Sequence, residues 1–266
     1  MRKKLRHGIK FIIFLLAIGV SKILTRKGTI VVTTTIIKAD KWLLPKRAAT
    51  LRKNIAAAFP HLTPPEHKAL VKKARRNFAL LAGEFLHLQD IRQDPSRIRV
   101  EGAQHVQAAT HNEGGADKPV VFVGGHFSNW ELMAQGVGAL EIPISVLYRP
   151  EDNPIIANWT KQQRAFATTK VVHKERGGTR ALIDSLRQGV SIALLCDQRK
   201  NDGIEIDFMG IPSLVPPAPA KIAQKFKLAI VPSVIRREER DGDPSYFVQH
   251  FFPAIYVQNT GDTDAD

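Results

Sequence analysis

The chain has 266 residues, 44% of them hydrophobic, and a formal net charge of +14, so it is long enough and apolar enough to bury a substantial core. The excess of lysine and arginine predicts an anionic partner: a membrane surface, an acidic protein, a phosphorylated substrate or a nucleic acid. Cys196 is the single cysteine, which excludes an intrachain disulfide and a cysteine-based zinc site. It ends an apolar run and is predicted to be a small buried hydrophobe.

The first 45 residues predict a membrane anchor. The basic start MRKKLR precedes an apolar run at residues 11–20, and Arg26 and Lys27 follow. No signal-peptide cleavage site comes close behind the run, which is shorter than the ~20 residues of a typical transmembrane helix. We expect residues 1–45 to contain an uncleaved N-terminal membrane-anchor helix, short-spanning or lying in the interface, with a buried soluble helix as the alternative.

A helical segment is predicted for residues 46–95. Apolar residues recur there at helical spacing, and Pro60 closes the first element. The second element begins at Pro64 and Pro65, where Thr63 and Glu66 have the spacing of a capping box.

Strand-like and helical segments alternate from residue 96 to residue 266, which predicts an α/β catalytic domain with a mixed, mostly parallel sheet flanked by helices. The predicted strands are residues 98–100, 120–123, 142–148, 190–196, 229–235 and 245–251. The predicted helices are residues 155–168, 178–188 and 217–227.

The most informative motif is GHFSNWE at residues 125–131, directly after the buried strand at 120–123. A turn that carries His126 with Glu131 in the following helical turn would supply a general base and a group to orient it. The spacing of His126 and Glu131 is weak evidence by itself. With nine histidines and 25 acidic residues in the chain, roughly one such spacing is expected by chance. Ser128 and Glu131 also have the spacing of a capping box, and that reading stays open here.

Further polar residues follow the carboxyl ends of other predicted strands. Arg149 follows the strand at 142–148, and Asp197 and Gln198 follow the strand at 190–196. In open α/β sheets ligands bind outside these strand ends. We therefore expect these residues to lie near His126 and to form one site.

The ordered set of motifs resembles the late acyltransferases of lipid A biosynthesis, the lauroyl and myristoyl transferases, within the lysophospholipid acyltransferase-like superfamily. The resemblance covers most of the chain after residue 50. It rests on RKNIAAAFP (52–60), AGEF (82–85), GHFSNWE (125–131), YRPEDNP (148–154), DQ (197–198), FMG (208–210) and AIVP (229–232). It implies a glycerolipid acyltransferase-like fold.

The resemblance implies transfer of a fatty acyl chain from acyl-acyl carrier protein to a hydroxyl of a Kdo-bearing lipid A precursor. His126 would be the general base, and Glu131 would fix its tautomer. Arg149 would contact a phosphate or sugar acid of the anionic glycolipid. The further substrate-binding candidates are Asn129, Arg176, Arg180, Asp197 and Gln198. No metal or other cofactor is expected.

The same resemblance implies an inner-membrane protein whose catalytic domain faces the cytoplasm, where the carrier protein is found. Family members continue beyond the final residues here through another helix, so the C-terminal helix is expected to be missing. One alternative is a related acyltransferase that uses acyl-CoA and a phosphatidylinositol mannoside. Another is a catalytically silent membrane-binding protein. Nucleic-acid binding would rest on charge alone and is not expected.

Overall fold

The computed structural model describes residues 2–38, 45–111, 117–149, 151–164, 170–173 and 177–258. Arg176 and the C-terminal residues 259–266 therefore lie outside the described residues. The expectation that the C-terminal helix is missing concerns this end of the chain and stays a prediction.

Helices dominate the amino-terminal third of the chain and then alternate with strands. The helices are α1 (Arg2–Ile23), α2 (Arg26–Lys38), α3 (Pro45–Ala58), α4 (Pro64–Phe85), α5 (Leu88–Gln93), α6 (Ala103–Thr110), α7 (Met133–Gly138), α8 (Pro154–Arg164), α9 (Gly178–Arg187) and α10 (Ala218–Phe226). Short 3-10 turns occupy Pro95–Arg97 and Trp130–Leu132. At the start of α4 the backbone N–H of Thr63 donates to Glu66 Oε2 at 2.7 Å, as the capping-box spacing predicts.

One mixed sheet organises the rest of the chain. The strands are β1 (Ile98–Glu101), β2 (Val121–Gly124), β3 (Ile144–Tyr148), β4 (Lys170–His173), β5 (Ser191–Leu195), β6 (Ile204–Phe208), β7 (Ile211–Val215), β8 (Ala229–Arg240), β9 (Asp243–Phe251) and β10 (Ile255–Tyr256). The order is β1-β9-β8-β2-β5-β3-β4, with β10 against β8. The β8–β9 and β8–β10 pairs are antiparallel and the other pairs of this sheet are parallel, so the predicted mixed, mostly parallel α/β sheet is confirmed.

Helices cover both faces of this sheet. On one face, Val106 of α6 and Val137 of α7 pack with the strand residue Phe122. On the other face, Leu182 of α9 and Ile222 of α10 pack in a second apolar cluster. Because both faces are buried, the central strands are continuously apolar, which is why they could be predicted from sequence.

Helix α2 packs closely against α4. The Thr33 hydroxyl donates to the Ala79 carbonyl at 2.9 Å. Gly83 permits the approach, because a Cβ there would lie 3.0 Å from the Ile30 Cα. Among the described residues no helix is long and apolar enough to cross a bilayer, so a spanning form of the predicted anchor is not supported.

An antiparallel hairpin that the sequence analysis did not predict follows β5. Strands β6 and β7 pair from Ile204–Val215 to Phe208–Ile211. Met209 and Gly210 both have positive φ at its turn, the conformation that two-residue hairpin turns require. The FMG motif of the sequence is thus the tip of this hairpin.

Candidate active site

The parallel pairing of β2 and β5 brings His126 beside Asp197. Gly124 at the end of β2 is in register with Leu195 at the end of β5. His126 and Asp197 each lie two residues beyond these ends, so they come side by side. The Cys196 N–H donates to the Gly124 carbonyl at 2.9 Å and extends this pairing past the strands. Gly125 keeps the space open, because a Cβ there would lie 3.2 Å from the Asp197 carboxyl carbon.

The imidazole of His126 is held by Asp197. Its Nδ1 lies 2.7 Å from Asp197 Oδ1, and its backbone N–H donates to Oδ2 at 2.8 Å. A carboxylate at Nδ1 favours the tautomer with the proton on Nδ1, which leaves Nε2 as a proton acceptor. Nε2 faces the amide of Gln198, with Gln198 Nε2 3.3 Å away. The Trp130 ring packs edge-on against the imidazole, with the ring centroids 4.7 Å apart.

Glu131 does not take the position expected from its spacing to His126. Its two carboxylate oxygens accept hydrogen bonds from Arg164, at 2.8 Å from Nε and 2.6 Å from Nη2. The expectation that Glu131 orients the imidazole is therefore wrong in this structure, where Asp197 does so. The capping-box reading also fails, because Ser128 Oγ has no hydrogen-bond partner among the described residues.

Two arginines support the turn that carries Glu131. Arg92 donates to the carbonyls of Glu131, at 2.7 Å, and of Gln163. Burial lowers the pKa of Arg92 to about 10, against the opposing charge of Glu131. Burial would also lower the pKa of Arg164, but the hydrogen bonds and charge of Glu131 outweigh it and raise that pKa. The pairing with Glu131 therefore favours the charged form of Arg164 beside the site.

Asn129 lies inside the protein and not in the substrate cavity. Its side chain is wholly buried and donates to Glu84 Oε2 at 3.0 Å. Glu84 pairs with Arg237 and accepts from the Ser245 hydroxyl at 3.2 Å. Burial raises the pKa of Glu84, and these hydrogen bonds and the charge of Arg237 oppose that rise. Asn129 thus ties the site turn to α4 and β9, and its predicted contact with substrate is not what this geometry favours.

A cavity of about 660 Å³ opens beside His126. One part of its wall is apolar and comes from β2, β3, β5 and α7. These wall residues include Phe122, Val137, Ile144, Val146 and Ala193. The wall follows β3 from Tyr148 to Ile144, which is ~13 Å at about 3.3 Å per residue. This apolar part of the wall is long enough to lie along a fatty acyl chain.

Charged groups surround the same cavity. Arg149 and Gln198 line it, as the sequence analysis predicted for the site, together with Glu131, Glu151 and Arg164. Arg180 differs, because it lies on the exposed side of α9 and does not line the cavity. In the described part of the chain, no cluster of three His, Cys, Asp or Glu side chains could hold a metal ion.

Sequence reasoning missed Arg92, Arg164, Glu84 and Arg237 as parts of the site. Glu84 stands in the quoted AGEF motif, and a carboxylate among apolar residues on a helix is the one signal that could have marked it. Arg92 and Arg164 lie in the last turns of their helices, where basic residues are common. Their positions in the sequence therefore did not indicate a part in the site.

Comparison with known proteins identifies the family of the chain. Residues 1–265 match the family described as bacterial lipid A biosynthesis acyltransferase. A lipid A biosynthesis acyltransferase of Haemophilus influenzae is 28% identical over 177 residues, which cover 63% of this chain and 52% of that protein. A lipid A biosynthesis lauroyltransferase of Escherichia coli K12 is 26% identical over 148 residues, 55% of this chain and 46% of that protein. The chain thus spans about half the length of these relatives.

The family match covers nearly the whole chain and agrees with the resemblance drawn from the sequence motifs. The chain belongs to the bacterial lipid A biosynthesis acyltransferase family.

Proposed function

We propose that this protein transfers a fatty acyl chain from an acyl carrier protein thioester to a hydroxyl of a Kdo-bearing lipid A precursor. The observation that carries the proposal is the imidazole of His126, which Asp197 holds at Nδ1 and which lines a cavity with an apolar wall on one side. A general base beside an apolar wall is what esterification of a hydroxyl by a long acyl chain requires.

In the proposed reaction Nε2 of His126 removes the proton of the acceptor hydroxyl as its oxygen attacks the thioester carbonyl. The negative charge of Asp197 stabilises the resulting imidazolium. As the tetrahedral intermediate collapses, the carbon–sulfur bond breaks and the ester carbon–oxygen bond is complete. The imidazolium then returns the proton to the leaving thiolate.

Each part of the substrate is assigned to the residues of the cavity that match its chemistry. The acyl chain lies along the apolar wall between Tyr148 and Ile144, both of which are buried side chains. Arg149 binds a phosphate or sugar acid at the cavity edge, because its guanidinium suits such groups. The charge of +14 favours both an acidic carrier protein and an anionic lipid surface.

Glu131 has an indirect part in this mechanism. Its bidentate pair with Arg164 and the Arg92 bond to its carbonyl fix the turn from His126 to Leu132. Glu131 is thus a positioning residue, and Arg164 lies at the cavity where its charge favours an anionic substrate.

We also propose that α1 rests on the cytoplasmic side of the inner membrane. Its exposed apolar residues recur at helical spacing on one side of the helix, and include Ile12, Leu15, Leu16, Val20 and Ile23. Phe14 packs on Trp159 of α8 with ring centroids 5.2 Å apart, and α8 carries Arg164 at its end. A bilayer against α1 would thus be close to the cavity, where a lipid acceptor must enter.

The test is acyl transfer by the full chain in membranes, with acyl-acyl carrier protein and a Kdo2-lipid IVA acceptor. We expect His126→Ala to lower turnover at least about 100-fold, because the general base is removed. His61→Ala is the matched control, since His61 also precedes an acidic residue by five positions but packs edge-on against Phe59 beside the capping box at the start of α4.

The control should retain wild-type turnover. Equal turnover in His126→Ala and wild type would overturn His126 as the base. Replacement of the donor by acyl-CoA, and of the acceptor by a phosphatidylinositol mannoside, tests the substrate assignment: faster transfer with either would overturn that part of the proposal.

A further inference from the structure

The segment that forms α3 and α4 carries much of the positive charge of the chain. Residues 46–76 contain nine of its 39 lysine and arginine residues but only one of its 25 acidic residues, Glu66. Nine basic residues and one acidic residue give this stretch a net charge of +8, out of +14 for the whole chain. The excess of positive charge is therefore concentrated in one part of the molecule.

Eight of these nine basic residues are exposed, on two helices that pack against each other. On α4, Lys68, Lys72 and Arg76 follow at four-residue spacing and so form a stripe along one face of the helix, and Lys73 is exposed as well. The exposed basic residues of α3 are Lys46, Arg47, Arg52 and Lys53. These eight side chains are called the α3–α4 basic surface below.

The protein itself neutralises little of this charge. The carboxylate of Glu66 accepts hydrogen bonds from the N–H and the hydroxyl of Thr63, both at 2.7 Å, at the start of α4. Arg76 lies 3.2 Å from Glu239, but both side chains are more than half exposed, and such pairs contribute little in water. The α3–α4 basic surface therefore has an unbalanced positive charge that favours an anionic partner.

The uncharged side chains of this surface favour an acidic protein over a bilayer as the partner. A helix that binds a bilayer combines basic residues with large apolar residues that enter it, and α1 exposes such residues. Within residues 45–77, all of which the structure describes, no large apolar side chain is exposed. The exposed positions between the charges include small residues such as Ala56 and Ala69. A charged surface of this kind suits a protein with the opposite charge, which it attracts and orients.

We propose that the α3–α4 basic surface docks an acidic protein, the carrier that delivers the acyl thioester. This inference rests on the proposed acyl transfer and specifies where its donor binds. Helix α4 connects the surface to the site, because its Glu84 accepts a hydrogen bond from Asn129 in the turn that carries His126. The helical rise of about 1.5 Å per residue puts Lys72 roughly 18 Å along α4 from Glu84. A carrier protein holds its acyl group at the end of a flexible arm and so docks at a distance from the reacting atoms.

The experiment compares two donors with the same acyl group, dodecanoyl-acyl carrier protein and dodecanoyl-pantetheine, which has the thioester without the protein. For each donor, kcat/KM is measured with the full chain in neutral detergent, for the wild type and for Lys68→Glu with Lys72→Glu. Both lysines are exposed, so the packed face of α4 is unchanged. With the carrier protein, kcat/KM should fall at least about tenfold in the variant, because attraction becomes repulsion. With dodecanoyl-pantetheine it should stay the same.

Lys221→Glu with Lys225→Glu is the matched control, because these exposed lysines have the same spacing on α10 and give the same change in net charge. It should keep the wild-type kcat/KM with both donors. An equal loss in this control, or an unchanged kcat/KM with the carrier protein in the α4 variant, would overturn the inference while acyl transfer itself stood. Absence of transfer from both donors by the wild type would instead overturn the proposed function.

A second readout does not depend on turnover. Titration of a fluorescently labelled carrier protein with the full chain, followed by anisotropy, gives the Kd at each salt concentration. Added salt should weaken binding to the wild type, because screening reduces the attraction, and the α4 variant should bind at least about tenfold more weakly at low salt. Equal Kd values for the α4 variant and the wild type would contradict docking at this surface. If the α4 variant also lost binding to anionic vesicles while its Kd for the carrier protein stayed the same, the partner of the surface would be the bilayer.

Discussion

At the residue scale, Asp197 gives His126 both its orientation and its electrostatic support. One carboxylate oxygen accepts from the backbone N–H of His126 at 2.8 Å, and the other lies 2.7 Å from Nδ1. The backbone contact fixes the carboxylate, and the carboxylate holds the ring through Nδ1, so that Nε2 is left for another partner at the cavity that His126 lines. The negative charge then stabilises the imidazolium that forms during proton transfer.

Replacement of Asp197 by asparagine should lower kcat with little effect on KM. Asparagine keeps the size of the side chain but removes the charge and no longer fixes the tautomer, so a loss on the order of 10²- to 10⁴-fold is expected. Initial rates of acyl transfer across pH measure it. Asp202→Asn, an exposed aspartate paired with Lys200, should leave kcat unchanged. An Asp197→Asn enzyme with wild-type kcat would contradict the assignment.

The site could be predicted in part from sequence. His126 was found because it follows a buried strand and a glycine turn, both of which are local signals. Its partner could not be found in the same way, because sequence spacing suggested Glu131 whereas the pairing of β2 with β5 selects Asp197. That pairing joins residues 71 positions apart, and one sequence does not reveal it. Asp197 was expected in the site, but as a substrate contact.

At the element scale, the central strands were predictable and the hairpin was not. Strands β2, β3 and β5 are buried on both faces and read as continuous apolar runs. Strands β6 and β7 lie mostly at the surface, with exposed residues such as Phe208 and Ile211, so no buried run marked them. The short strand β4 lies at the sheet edge and gave an equally weak signal.

An ion-pair cluster connects the amino-terminal helices to the sheet. Asp243 begins β9, and its Oδ2 lies 2.6 Å from Arg26 of α2 and 3.2 Å from Arg97. Burial would raise the pKa of Asp243, but the Ser245 N–H and the charge of Arg26 outweigh it and lower that pKa below 3.8. Because the folded form holds the proton less tightly, this carboxylate stabilises the fold above pH 3.8, and that stability is lost as the pH falls further.

Asp243→Asn should therefore lower the melting temperature at neutral pH and make it depend less on pH on the acid side. The amide keeps an acceptor for the Ser245 N–H but loses the attraction to both arginines. Thermal unfolding followed by circular dichroism at a series of pH values measures the change. Asp184→Asn is the control, since Asp184 makes only an exposed pair with Arg187. Parallel curves for Asp243→Asn and wild type would refute the role of the cluster.

At the scale of the whole molecule, the basic charge and the exposed apolar face of α1 predict reversible binding to anionic bilayers. Ile12 is 58% exposed and Leu16 is 63% exposed, one turn apart on the same side of the helix. Transfer of such side chains from water to the acyl boundary is favourable, and anionic lipids attract the lysines and arginines. The two contributions differ in their response to salt, because screening weakens only the second.

Binding of the full chain to anionic phospholipid vesicles by co-sedimentation separates these contributions. Ile12→Gln with Leu16→Gln should weaken binding at least about tenfold, since two large apolar side chains no longer enter the bilayer. Added salt should weaken the wild type further without abolishing its binding. Ile255→Gln, at 55% exposure on β10, is the matched control and should bind as the wild type does. Wild-type binding by the α1 double variant would show that the bilayer contacts another surface, and the route of the acceptor to the cavity would then not run past α1.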